Sequence, residues 1–311
     1  MDRRKWMTLS ATAAASSAIA TPTLARNAVP QQGKGIRYAL NMSTIRGHKL
    51  PIDQQVDVAG KAGYDGIEPW IGDIKKYVES GGKLKDLAKR IKDHGMTVDS
   101  GIGFAHWIVD DDDKRRQGLE NARVDMDLLA QIGGTHIAAP PAGANRSEKI
   151  NLLAAAERYH ALLEIGDQAG VIPMVEVWGF SNNLSRLGES MFVVLECGHP
   201  KACLLPDFYH LYKGGSPFDG LYNLGRRCIP VMHMNDYPDI PRDAINDSDR
   251  VYPGDGVCPL PTIIREMARS GIEPVYSLEL FNKEYWKRPV DEVARSGLKK
   301  MKQTVSQALQ N

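Results

Sequence analysis

Val171-Ile-Pro-Met-Val-Glu-Val-Trp-Gly179 is the stretch that decides the fold. Residues 171–175 are a short apolar run, preceded by Gly170 and followed by a Trp-Gly turn, the pattern of a buried strand. Glu176 stands at its C-terminal end, where a buried carboxylate needs an opposite charge or a metal ion. The layout repeats three times downstream. Residues 202–207 run Ala-Cys-Leu-Leu-Pro-Asp, residues 229–233 run Ile-Pro-Val-Met-His, and residues 274–279 run Pro-Val-Tyr-Ser-Leu-Glu. Four strand-like runs thus each deliver a metal-ligand residue type at the same end: Glu176, Asp207, His233 and Glu279.

Upstream the same alternation holds. Strands are expected at 36–41, 64–70, 96–101 and 133–139, and helices at 52–62, 84–94, 114–132 and 147–169. Further helices fall at 185–196, 221–227, 260–269 and 290–309. Gly63 and Gly95 stop the first two helices, and the acidic run 110–113 suits the positive N-terminus of the third. Eight strand-like runs, each followed by a helical one, imply a parallel sheet. Their number and spacing match a single α/β domain of the closed (β/α)₈ TIM barrel type over residues 36–311. An open doubly wound sheet fits less well, because no GxGxxG follows the first strand. In a barrel the active site occupies the C-terminal ends of the strands, where the four ligand types fall.

The 311 residues are 42% hydrophobic and 25% charged, the composition of a folded globular chain. A net charge of +1 gives no global field for nucleic acid, and no apolar run reaches the roughly 18 residues of a membrane span. The N-terminus carries Arg3-Arg4, a weakly apolar stretch 9–20, and small-residue cleavage sites after Ala20 and Ala25. That order predicts a twin-arginine-type export signal over 1–25, a linker over 26–35, and a mature protein in the periplasm or outside the cell. Cys197, Cys203, Cys228 and Cys258 lack CxxC or zinc-ribbon spacing, and their pairing is left open.

Two glutamates, an aspartate and a histidine suit one divalent ion with positions open to substrate. Oxygen ligands favour Mn²⁺ or Mg²⁺, and one imidazole shifts the preference towards Mn²⁺, Co²⁺ or Zn²⁺, so Mn²⁺ is the expected ion. Glu68, Trp70, Trp107, Trp178 and Phe104 lie at or just past strand ends: Glu68 could bond sugar hydroxyls or pair with a barrel lysine, and the aromatics could wall a sugar face or pack loops. His106 and His136 carry weaker signals, and His136 reads as a core residue.

The segments Val175-Glu-Val177, Asp207-Phe-Tyr-His210, His233-Met-Asn-Asp236, Pro253-Gly-Asp-Gly256 and Ser277-Leu-Glu279 resemble the xylose-isomerase-like barrels. That family includes sugar-phosphate isomerases and epimerases, hydroxypyruvate isomerase and ketose 3-epimerases. The resemblance implies that Glu176, Asp207, His233 and Glu279 hold the metal, and that Glu176 and Glu279 exchange protons with opposite faces of a substrate. It implies that His210 contacts substrate. It departs at the arginine that ketose epimerases commonly place shortly after the metal-binding histidine, because the only arginine in residues 235–242 is the displaced Arg242. No glycine-rich phosphate cradle follows the late strands. The expected activity is therefore a metal-dependent isomerase or epimerase of a non-phosphorylated keto sugar or related carbohydrate, acting through an enediolate. A lyase or dehydratase on a keto sugar or keto acid is the alternative. An abasic-site endonuclease and a non-catalytic sugar-binding protein are weaker ones, and a homo-oligomer is compatible with all four.

Overall fold

The structure, a computed structural model, describes residues 35–310. The export signal expected over 1–25 and residues 26–34 of the linker lie outside the described residues. Eight strands follow in order: β1 (Tyr38–Asn41), β2 (Gly66–Glu68), β3 (Thr97–Val98), β4 (His136–Ala139), β5 (Ile172–Glu176), β6 (Leu204–Leu205), β7 (Val231–Met234) and β8 (Val275–Leu278). All of them pair in parallel, in two arcs ordered β3-β2-β1-β8-β7 and β4-β5-β6. Parallel bridges Gly101–Ile137 and Asp207–His233 join the arcs at both seams, so the sheet closes on itself as a TIM barrel.

The helices are α1 (Ile52–Ala62), α2 (Ile71–Glu79), α3 (Leu84–Asp93), α4 (Asp112–Gln131), α5 (Leu152–Ala169), α6 (Leu187–Glu196), α7 (Phe208–Gly214), α8 (Leu260–Arg269) and α9 (Val290–Gln310). Local chemistry sets several ends. α1 stops at Gly63, whose φ of 88° only glycine adopts without strain. Asp111 caps α4 by accepting hydrogen bonds from the backbone N–H groups of Asp113 and Lys114, so the acidic run does serve the helix terminus. α8 buries Leu260, Ile263, Ile264 and Met267, which recur at helical spacing on one face. Each such side chain contributes roughly 1.5–3 kcal/mol on burial.

Two expectations need correction. The helix expected at 221–227 is replaced by a 3₁₀ turn, Phe218–Asn223, and the helix after β6 is α7, which begins directly behind Asp207. α2 was not anticipated, because it is short and its N-cap, Trp70, supplies no capping side chain.

Alternation along the strands builds the interior in layers. Ala39, Met174, Leu205, Val231 and Val275 belong to a small apolar cluster inside the ring. Two residues further along their strands stand Asn41, Glu176, Asp207, His233 and Ser277, all buried. A polar layer therefore sits on an apolar one, at the C-terminal ends of the strands. All four cysteines are free thiols, Cys228 half-buried and the other three buried. No helix among the described residues is long and apolar enough to cross a membrane.

Candidate active site

The polar layer gathers four acids in the barrel mouth. Glu68 and Asp207 are 0% exposed and Glu176 and Glu279 are 4% exposed. Arg250, buried at 1% exposure, is the guanidinium among them. Four buried carboxylates with one arginine are short of positive charge, and burial makes that shortage costly.

His233 lies at the centre. Its Nε2 is 3.0 Å from Glu68 Oε2, and because a carboxylate only accepts, Nε2–H donates there. Glu68 Oε2 also accepts from Asn41 Nδ2 at 2.8 Å and Ser277 Oγ at 2.7 Å, which fixes it behind the imidazole. The other ring nitrogen, Nδ1, is buried and makes no aligned hydrogen bond. It faces Glu279 Oε2 at 3.2 Å, Asp207 Oδ2 at 3.7 Å and Glu176 Oε1 at 3.8 Å. One ligand atom each from Asp207, His233 and Glu279 fall within 4.8 Å of one another.

The remaining groups hold this set in place. Arg250 Nη1 donates to Asp207 Oδ2 at 2.9 Å and Glu279 Oε2 at 2.8 Å, while Nη2 donates to Asp247 Oδ1 at 2.6 Å. Asn235 Nδ2 donates to Asp207 Oδ2 at 2.9 Å, and Asn41 Nδ2 to Glu279 Oε1 at 3.1 Å. Each carboxylate oxygen has two lone pairs; these bonds fill both on Asp207 Oδ2 but leave one on Glu279 Oε1 and one on Glu279 Oε2 as acceptor capacity for a cation.

Proton affinities diverge across the site. Burial, helped by the charges of Glu279 and Asp207, pushes the Glu176 carboxyl up to about 8. Burial would raise Glu279 too, but the charges of His233 and Arg250 hold it well below the usual carboxylate range. Burial disfavours a charged His233, yet Glu279 and Glu68 outweigh it and raise the imidazole well above its ordinary value. A position that draws a proton to Nδ1 so strongly also draws a divalent cation, and the two compete there.

Above this layer is a cavity of about 120 Å³. Glu176, His210, Arg250 and Glu279 reach it, and Trp70, Phe104, Trp178, Phe180 and Phe281 form its aromatic wall. The rings touch in series: Trp70 on Phe104 at 5.1 Å, Phe104 on Trp178 at 6.1 Å, Trp178 on Phe180 at 5.1 Å. His210 N–H donates to Asp207 Oδ1, and its Nε2 lies 3.1 Å from Arg250 Nη2.

Of the residues singled out in the sequence, Glu176, Asp207, His233, Glu279 and His210 converge here, and Trp70 and Trp178 line the wall. Glu68 meets His233, Asn41 and Ser277 and is not among the residues lining the cavity. Trp107 is fully buried away from it, with its indole N–H donating to the Pro140 carbonyl and its ring against Tyr159. His106 is exposed, and His136 is half-buried at the start of β4. Arg242 is exposed in the loop after β7, and the arginine of the site is Arg250. Asn41, Asn235, Asp247, Arg250 and Phe281 were missed. Arg250 stands three residues before Pro253-Gly-Asp-Gly256, and that proximity was the available signal.

A sequence profile of the xylose isomerase-like TIM barrel family matches residues 56–304. The chain is 25% identical over 260 residues to an inosose isomerase of Bacillus velezensis, covering 82% of this chain and 92% of that one. It is 24% identical over 253 residues to a fructoselysine 3-epimerase of Escherichia coli O157:H7, covering 77% and 89%. Among solved structures it superposes on the IOLI protein with a binding zinc atom at a TM-score of 0.81 and 21% identity, over 89% of this chain and all of that one. The barrel, its strand-end polar layer and the profile match agree: the chain belongs to the xylose isomerase-like TIM barrel family.

Proposed function

We propose that this protein is a divalent-metal-dependent isomerase or epimerase of a non-phosphorylated keto sugar or related polyol ketone. The observation that carries the reading is His233 Nδ1: buried, without an aligned hydrogen bond, and turned towards the carboxylates of Glu279, Asp207 and Glu176. Those four residues would hold the ion, with Glu68 fixing the histidine tautomer from behind. One imidazole among oxygen ligands favours Mn²⁺, with Mg²⁺, Co²⁺ and Zn²⁺ as competitors. When bound, the ion supplies electrophilic stabilisation of negative charge developing on a carbonyl oxygen.

The chain's own residues supply the proton chemistry. Glu176 and Glu279 come from β5 and from the end of β8 and both reach the cavity, so one can take a proton from the substrate while the other gives one. Removal of a proton next to the carbonyl gives an enediolate. Its return to the other face of the same carbon is epimerisation, and its return to the neighbouring carbon is isomerisation. The aromatic wall packs the apolar face of a ring or chain, while His210 and Arg250 can donate to its oxygens.

The test is solvent exchange. Protein loaded with Mn²⁺ and incubated with a panel of ketoses in D₂O should incorporate deuterium at the carbon beside the carbonyl. Glu176→Gln and Glu279→Gln should each slow exchange by about 10²–10⁴-fold. Full exchange in both variants would sink the acid/base assignment, and product lighter by one water would identify a dehydratase instead.

A further inference from the structure

Among the described residues, three cations on the same face of the barrel have no carboxylate partner. Arg186 precedes α6, Lys213 lies in α7 and Arg242 lies in the loop after β7. With Phe180 and Tyr212 they line a broad groove of about 960 Å³. Lys213 Nζ donates only to the carbonyls of Asp243 and Ile245, at 3.2 and 2.8 Å, and Arg186 Nη1 only to the Gly214 carbonyl, at 3.3 Å. Among the described residues Arg242 has no hydrogen bond or ion pair, and the carboxylate of Asp243, the acid of the groove, is paired with none of the three. The two guanidinium groups nevertheless converge. A methyl group added at Gly215 would collide with Arg242 Nη1 and lie 3.4 Å from Arg186 Nη1. Like charges gathered this way repel unless an anion joins them, and a guanidinium pair presents the forked donors that a carboxylate fits.

The groove begins where the cavity wall ends. Phe180 lines both, and its ring stands on Trp178 at 5.1 Å and against His210 at 5.6 Å. We infer that Arg186 and Arg242, with Lys213, form a subsite for a carboxylate carried on an extension of the substrate, which passes over Phe180 from the reacting end in the cavity. This rests on the cavity being the carbohydrate site. The substrate class then narrows to ketoses bearing a carboxylate at the end of a short chain.

The test is calorimetric titration of wild type and the Arg186→Gln/Arg242→Gln double variant with three probes. These are D-fructose and its conjugates, through C1, to the amino groups of glycine and of 6-aminohexanoic acid. In wild type at least one conjugate should bind about tenfold more tightly than fructose, and salt should erode the advantage. The double variant should bind fructose as wild type does and lose the advantage. Both arginines are exposed, so an unchanged melting temperature shows that the fold is intact. Equal affinity for all three probes, no detectable binding of either conjugate, or an advantage that survives in the double variant overturns the inference. Solvent exchange reads the proton chemistry separately. Exchange on fructose without a conjugate preference removes only the groove, and a conjugate preference without exchange removes only the isomerase reading.

Discussion

Glu68 shows how one residue acts through another. It has no reach into the cavity, yet its Oε2 collects His233 Nε2, Asn41 Nδ2 and Ser277 Oγ. A carboxylate behind a ligating histidine sets its orientation and raises its basicity. Glu68→Gln should therefore weaken Mn²⁺ binding by about 10–100-fold, read by titration with a metal indicator, while far-ultraviolet circular dichroism stays as in wild type. Unchanged affinity would leave Glu68 with a packing role only. The strand-end residues were legible because a single rule, polar side chains at strand C-termini, governs all of them. Partnerships were not. Whether Glu68 faces a sugar or a histidine depends on the register of β2 against β1 and, through it, β8, which no local pattern encodes. Arg250 is not legible close behind His233, because the chain returns to the site only after a long loop.

At the scale of the element, that loop is tied down by one acid. Asp236 follows β7 and pairs with Val251 as an isolated antiparallel bridge. Its Oδ1 accepts from the backbone N–H of Tyr237 and Cys258, and its Oδ2 from those of Gly254 and Gly256. Four donors on one buried carboxylate make the turn Pro253–Gly256 rigid and hold Arg250, just before it, over the carboxylates. The motif segments on either side of this loop are thus two halves of one clamp. Asp236→Ala should cost at least about 2 kcal/mol in urea unfolding, since several charge-assisted bonds are lost at once. It should also weaken Mn²⁺ binding, although Asp236 touches no ligand. A loss under about 0.5 kcal/mol would mean that the loop is held by its packing. Helices were legible where an apolar stripe and a glycine stop coincided, as in α1 and α3. α7 was not, because its start is set by Asp207 capping the backbone N–H of His210, a second use of a residue already read as a metal ligand.

For the molecule as a whole, buried charge acts in two ways. Charge gathered at the strand ends serves chemistry, whereas the ionised Asp99 carboxylate, just past β3, costs stability. Arg37, just ahead of β1, pairs with Asp99 at 3.1 Å. Burial raises the Asp99 carboxyl to about 6 although Arg37 opposes it. A folded-state value above the unfolded one favours the protonated acid, so this stabilisation is complete below about pH 4 and is lost as pH rises through 6. About two pH units correspond to at most about 3 kcal/mol. Asp99→Asn should remove that slope, so its stability relative to wild type should rise between pH 4 and 7 in urea titrations. Parallel curves for the two proteins would contradict the assignment. The fold itself was legible at this scale because parallel strands buried on both faces read as apolar runs, and eight of them leave few ways to close.

The most direct test of the central claim, a divalent-metal site built on His233, is the metal content of protein purified without chelator, beside His233→Ala. About one divalent ion per chain in wild type, and none in the variant, is the expected result. No ion in wild type, and none retained after addition of Mn²⁺, Co²⁺, Mg²⁺ or Zn²⁺, would contradict it and leave the four buried acids with only Arg250 and a protonated His233 as counter-charge.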